Sequence, residues 1–183
     1  MRILHVNTER TWRGGEQQVL YLMEGLRERG IEQLLVAQRS GVLAERARER
    51  GLPVRALRMR GEVDPLAILT LASLARDGRA SVLHAHTSHA HTLGAASAAL
   101  LGPLRPKVIV ARRVDFSIYR RSFLGLNGLK YRHGVDRYVT VSHAIKEVLV
   151  SDGLPPGRIS VVHSGIDIGR IAGSPDRTGR CRP

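Results

Sequence analysis

Short β-branched runs alternate with segments of helical spacing along almost the whole chain, and that alternation leaves few folds open. Ile3–Val6 reads as a buried first strand, and Val19, Leu22, Met23 and Leu26 fall on one helical face that Gly30 closes. Leu34–Ala37 is a second strand, Ser40 is placed to cap a short helix through Arg50, and Val54–Leu57 is a third strand. Asp64-Pro65 puts a capping side chain before a proline at the first helical position, so a helix is expected from there to about Asp77-Gly78. Ser81–His86 is a fourth strand, followed by a small-residue helix over His89–Leu101 that can pack close to a sheet. Val108–Ala111, Arg137–Val141 and Ile159–Val162 complete seven strands, with Ser142 capping a helix through Val150. The reading is α/β: a Rossmann-like parallel sheet with helices on both faces and right-handed crossovers.

In such a sheet the ligand crevice lies beyond the carboxyl ends of the strands. The loops at 7–16, 84–91, 111–123 and 163–167 all fall there. In Trp12-Arg13-Gly14-Gly15-Glu16, paired glycines at the start of a helix permit close backbone approach and favour a phosphate, although they also suit a tight turn. The loop is not the Gly-x-Gly-x-x-Gly fingerprint, and the second strand ends in Gln38-Arg39 without an acidic ribose ligand, which disfavours a nicotinamide enzyme.

His84-Ala85-His86-Thr87-Ser88-His89-Ala90-His91 leaves three readings open: sugar or phosphate hydrogen bonding, a structural core histidine, or a metal. Alternation points His84 and His86 to one side of the strand. No cysteine or carboxylate nearby completes a zinc set, so no metal is expected. The stretch Arg112-Arg113-Val114-Asp115-Phe116-Ser117-Ile118-Tyr119-Arg120-Arg121 joins guanidinium forks to aromatic surface, which suits an anionic acceptor at a membrane face or a solvated basic loop.

The net charge of +13 attracts polyanions. Aromatics are only 4%, and no recognition motif appears, so nucleic acid is not an expected partner. The single cysteine, Cys181, supports neither a disulfide framework nor a zinc set. The start is too short an apolar run for a signal peptide, and Leu93–Leu104 falls short of the roughly 20 residues of a membrane span. A cytoplasmic protein is expected, with peripheral attachment to the inner face of the membrane as one possibility.

Two further stretches carry a resemblance. Val161-Val162-His163-Ser164-Gly165-Ile166-Asp167 and Val141-Ser142-His143-Ala144-Ile145-Lys146-Glu147 are similar to the signatures that close the N-terminal domain of family 4 glycosyltransferases of the GT-B fold, where Val-x-Asn-Gly-Ile-Asp is usual. The resemblance runs from the Gly-Gly-Glu loop through His84-Ala85-His86 to this ending, and Arg112–Phe116 is similar to a bacterial subset that builds envelope saccharides. It implies a retaining transferase that moves a sugar from a nucleotide diphosphate to a glycan or lipid-linked acceptor, usually without a metal. On that reading residues 1–172 are the acceptor-side domain, 173–183 a disordered tail, and the C-terminal donor-binding domain is missing, leaving the isolated domain inactive.

The same reading assigns Gly14, Gly15 and Glu16 to the donor phosphate or sugar. It assigns His84, Arg112, Arg113, Arg120 and Arg121 to the acceptor, and Ser142, Ser164, Gly165 and Asp167 to the interdomain edge. The family's usual histidine after the fifth strand is replaced by Arg112-Arg113-Val114, so His86 and Asp115 stand as substitute catalytic candidates. Two other classes remain open: a metal-dependent hydrolase using His84–His91, and a non-enzymatic sugar- or anionic-lipid-binding module.

Overall fold

The computed structural model describes residues 1–115, 117, 131 and 134–166. Seven strands form one parallel sheet: β1 (Arg2–Asn7), β2 (Glu32–Gln38), β3 (Val54–Leu57), β4 (Val82–Ala85), β5 (Lys107–Arg112), β6 (Arg137–Thr140) and β7 (Ile159–Val161). Their spatial order is β3-β2-β1-β4-β5-β6-β7, so the strand order reverses between β1 and β4. The α-helices that lie wholly among the described residues are α1 (Gly14–Glu28), α2 (Val42–Glu49), α3 (Pro65–Asp77), α4 (Ser88–Leu100) and α5 (His143–Ser151). The doubly wound α/β architecture read from the sequence is the one observed.

Alternation along the strands divides the core in two. Leu4, Val6, Leu83, Ala85, Val108, Val110 and Tyr138 pack with Ala67 and Leu71 of α3, Ala90 and Leu93 of α4, and Leu149 of α5. On the other side, Leu35 and Ala37 pack with Val19, Leu20 and Met23 of α1 and with Leu43, Ala44 and Ala47 of α2. The small-residue character of α4 matters here. A Cβ built on Gly94 would stand 2.5 Å from a Leu83 methyl, so glycine sets how closely α4 approaches the sheet.

The caps follow the sequence at two helices and depart from it at two. Asp64 accepts from the Ala67 amide (3.1 Å) and the Arg60 amide (2.9 Å), and these bonds hold its carboxyl below the usual range. Ser142 accepts from the Ile145 amide, as expected for α5. At α2 the cap is Gly41, not Ser40, and no side chain caps it. A Cβ at 41 would lie 2.7 Å from the Glu9 carbonyl, so a glycine here lets the loops after β1 and β2 lie against each other. Helix α4 starts at Ser88 rather than His89, because Thr87 accepts from the Ala90 amide. No helix among the described residues is long and apolar enough to cross a membrane.

Candidate functional site

The loops after β1 and β4 leave the sheet in opposite directions at the reversal of strand order, and the crevice between them is where an open α/β sheet takes ligands. Thr8 and Thr87 join the two loops through their hydroxyls, 2.7 Å apart. Beyond them lies a cavity of about 340 Å³, lined from the β1 side by Glu9, Arg13, Gly15 and Glu16. The β4 side contributes His86, Thr87, Ser88 and His91, and the β5 side Val110–Val114 with Tyr131. The N-termini of α1 and α4 both open onto this space, and their first amides have no intrahelical partners, which favours an anion. A larger hollow of about 410 Å³ lies at the opposite edge of the sheet, lined by Arg2, Arg27, Ile31, Glu32, Gln33 and Pro53. It has no converging helix N-termini, and the residues singled out in the sequence lie elsewhere.

The α1 entry is built around a buried carboxylate. Glu16 accepts from the Arg13 amide (3.0 Å) and from the Asn7 side-chain amide (3.2 Å), while Asn7 Oδ1 accepts from the Glu9 amide (2.9 Å). Glu16 therefore shapes the glycine loop from beneath, and the assignment of its carboxylate to a donor is weakened by that use. Gly15 lines the cavity, and a Cβ there would meet Arg113 Nη1 at 3.3 Å; a Cβ at Gly14 would meet nothing within 4 Å. The fold itself does not require glycine at 14.

Arg113 reaches back across β4 to donate to the His86 carbonyl (3.2 Å). Burial lowers the pKa of its guanidinium, and Glu16 opposes that shift. Arg112 is buried and donates to the Tyr131 hydroxyl at 2.7 Å. Two guanidiniums, those of Arg112 and Arg113, are thus fixed at the cavity. Arg120 and Arg121 lie outside the described residues.

The histidine run does not act as a unit. His89 is exposed and lines a separate hollow with Arg10, Arg13 and Arg60. His91 is buried in α4, edge-on to Tyr131 with ring centroids 4.8 Å apart. His84 does not reach the cavity: it points from within β4 to the sheet face that carries His5, so an acceptor contact through it is not what the fold provides. His86 lines the cavity, but its ring is 4% exposed and its Nε2 lies 3.0 Å from His5 Nδ1. Burial, with the neighbouring histidines and Arg113 adding to it, lowers its pKa well below the ordinary range, so the ring is neutral. Asp115, the other catalytic candidate, is exposed and does not line the cavity.

At the carboxyl ends of β6 and β7, the described edge residues come together. Ser142 caps α5, His163 Nδ1 bonds the Val141 carbonyl (3.1 Å), and Ser164 and Gly165 follow, both exposed. Asp167 lies outside the described residues. Gln18 of α1, which sequence reasoning missed, donates to the Gly165 carbonyl (2.6 Å) and accepts from its amide (3.1 Å). That two-point clamp ties the segment after β7 to α1, near the glycine loop. A lone glutamine on a helix gives no sequence signal for such a contact.

The sequence model of Glycosyltransferase Family 4 matches residues 12–170. The chain belongs to glycosyltransferase family 4. Solved structures share the fold of this family 4 chain. Anabaena Alr3699/HepE, in complex with UDP-glucose, superposes with a TM-score of 0.75 at 17% identity, over 96% of this chain and 47% of that one. The lipopolysaccharide outer core galactosyltransferase WaaB, in its apo form, gives 0.69 at 12% identity, over 92% and 47%. The UDP-GlcNAc 2-epimerase from Methanocaldococcus jannaschii gives 0.60 at 13%, over 88% and 45%. The family 4 chain thus spans about half the length of these proteins. No curated protein matches it by sequence. The family and the Rossmann-like GT-B fold expected from the sequence are both borne out.

Proposed function

We propose that this chain is the acceptor-side half of a retaining glycosyltransferase that moves a sugar from a nucleotide diphosphate to a cell-envelope glycan or lipid-linked acceptor. The observation that carries the reading is the cavity at the β1/β4 reversal of a family 4 chain, where two helix N-termini and Arg13, Arg112 and Arg113 converge. The UDP-glucose complex of HepE supports a nucleotide-sugar donor, and WaaB an envelope glycan. Fold likeness alone would equally admit epimerisation; the family match favours transfer. The transition state develops charge on the departing diphosphate, and preorganised amides and guanidiniums stabilise it. Of the two catalytic candidates only His86 lines the cavity, so we place His86, as a neutral imidazole, beside the transferred sugar. No metal is assigned a part in the transfer.

The test joins this chain to the donor-binding half of a homologous enzyme and measures initial rates over a panel of nucleotide sugars. Gly15→Val pushes Arg113 away and covers the α1 amides, and Arg113→Ala removes one fixed cation. Each is expected to lower kcat/KM by about 10²-fold, the usual loss for one such group. The unfolding midpoint should change little. Rates within twofold of the parent would show that this cavity is not where the reaction occurs.

The same proposal places the +13 charge against an anionic membrane surface. Binding to vesicles containing an anionic phospholipid is expected at 0.1 M salt and should vanish at 1 M, where the Debye length falls from about 10 Å to 3 Å. Equal binding to neutral vesicles would remove the membrane surface from the account.

A further inference from the structure

Below the cavity, three imidazoles from neighbouring strands meet in the core. His5 of β1 pairs in register with His84 of β4, and His86 follows two residues on, so the three share one face of the sheet. Their ring centroids are 5.7 Å (His5–His84), 5.3 Å (His5–His86) and 4.1 Å (His84–His86) apart. Buried ring nitrogens are normally hydrogen-bonded, since leaving one unpartnered costs its desolvation. Here one bond joins His5 Nδ1 and His86 Nε2, while His84 Nε2 of the third ring is enclosed without a partner. His5 and His86 are 0% and 4% exposed, so bulk water does not satisfy them.

We propose that His5, His84 and His86 form a binding site for one zinc-class transition-metal ion, and an ion held there engages the same His86 ring that the proposed transfer places beside the sugar. One nitrogen of each ring lies within 4.8 Å of the other two, and the nearest hydrogen-bonded pair is 3.0 Å apart. Two nitrogens bound to tetrahedral zinc at about 2.0–2.1 Å stand roughly 3.4 Å from each other. The closest pair therefore opens by a few tenths of an ångström while the third ring swings inward. Burial keeps the rings neutral, with lone pairs available to an ion. An all-imidazole set disfavours magnesium and calcium and favours zinc, cobalt, nickel or copper.

His86 also lines the cavity, which gives an ion a way in and leaves a fourth position for water or an anion. Arg113, bonded to the His86 carbonyl, repels a cation but favours an anion at that fourth position. This set is not the His84–His91 run considered from the sequence: it gains His5 and leaves out His89 and His91.

The experiment uses the 183-residue chain, stripped by a chelator and then titrated with Zn²⁺ by calorimetry and with Co²⁺ by visible absorption. About one ion per chain is expected, with the d–d bands of a low-coordinate nitrogen site. Affinity should fall at least tenfold in His84→Gln and in His5→Asn, each checked for fold by circular dichroism. His84 is the more exposed of the two, so its variant keeps the test valid if His5→Asn does not fold. Saturating Zn²⁺ should raise the unfolding midpoint of the parent and leave that of His84→Gln unmoved. The exposed pair His143 and His163, with rings 6.2 Å apart, is the control, and the double variant His143→Ala/His163→Ala should bind as the parent does. No saturable binding, equal binding by His84→Gln, or loss only in the His143/His163 variant would each overturn the site.

Discussion

Offered nucleotide sugars and acceptors, the 183-residue polypeptide alone should transfer no measurable sugar, yet unfold cooperatively as a single unit. The two halves of this expectation have different physical sources. Folding needs a buried core, and the chain has one on each face of a seven-stranded sheet, with Leu20, Met23, Leu71, Leu83, Leu93 and Tyr138 fully buried. Catalysis needs groups on every side of the departing diphosphate. This chain brings Arg13, Arg112, Arg113 and two sets of helix amides to one cavity, and it spans about half the length of the proteins that share its fold. Loss of a single positioned donor commonly slows acyl or phosphoryl chemistry by about 10²–10³. Loss of a complete opposing wall, together with the closed cleft that excludes water, should leave nothing above background. Joining a donor-binding half should restore turnover, and His86→Ala should then reduce it. Robust transfer by the isolated polypeptide would mean that the reacting groups all lie within these residues and that the proposed division of labour is wrong. Binding of nucleotide sugar without turnover even in the joined protein would favour a non-enzymatic module.

How much of this was legible beforehand depends on the range of the interaction. The seven strands and the Asp64 and Ser142 caps depend on neighbours a few residues away, so their patterns stand in the sequence. Alternation also put His84 and His86 on one side of their strand. What they would meet there was not legible, because His5 reaches them only through the pairing of β1 with β4, from a position 79 residues before His84. By the family resemblance Glu16, with the glycine loop, is assigned to the donor. Its place beneath the loop depends on Asn7, and the capping pattern was disguised by an arginine, not a serine or threonine, at the cap. Ser40 has the side chain of a cap, but the cap is Gly41, where a Cβ would lie 2.7 Å from the Glu9 carbonyl. The clamp of Gln18 on Gly165 joins residues at opposite ends of the domain, and no local pattern announces it.

In chelator, the chain should lose stability steeply between pH 6.5 and pH 4, before most carboxylates titrate. Burial drives the pKa of His5 down to about 4, with a hydrogen bond to the Gln33 side chain opposing the shift. His84 is held at about 3 by burial, with His5 and Arg113 adding to it. In the unfolded chain each titrates near 6.5. Between those values the unfolded state binds more protons than the folded one, so stability rises with pH and falls as the solution is acidified through this window. Below the folded value the loss is complete. For His5 alone the difference corresponds to about 3 kcal/mol. The three rings do not simply add, because one protonated imidazole makes the next harder to protonate. A loss of about 3 kcal/mol should lower the unfolding midpoint by roughly 6–12 °C in a domain of this size. Asp64 and Asp136 act in a different window: their folded pKa values are depressed below 3.8, so their contribution is intact above that value and is lost only at lower pH. Urea titrations at half-unit steps from pH 7.5 to 4 would resolve the two. The double variant His5→Phe/His84→Phe, which removes two of the titrating rings, should flatten the slope above pH 4 while leaving the acid limb in place. An unchanged slope in that variant would mean that the pH dependence arises elsewhere and that the buried imidazoles are protonated in the folded chain far more readily than their enclosure implies.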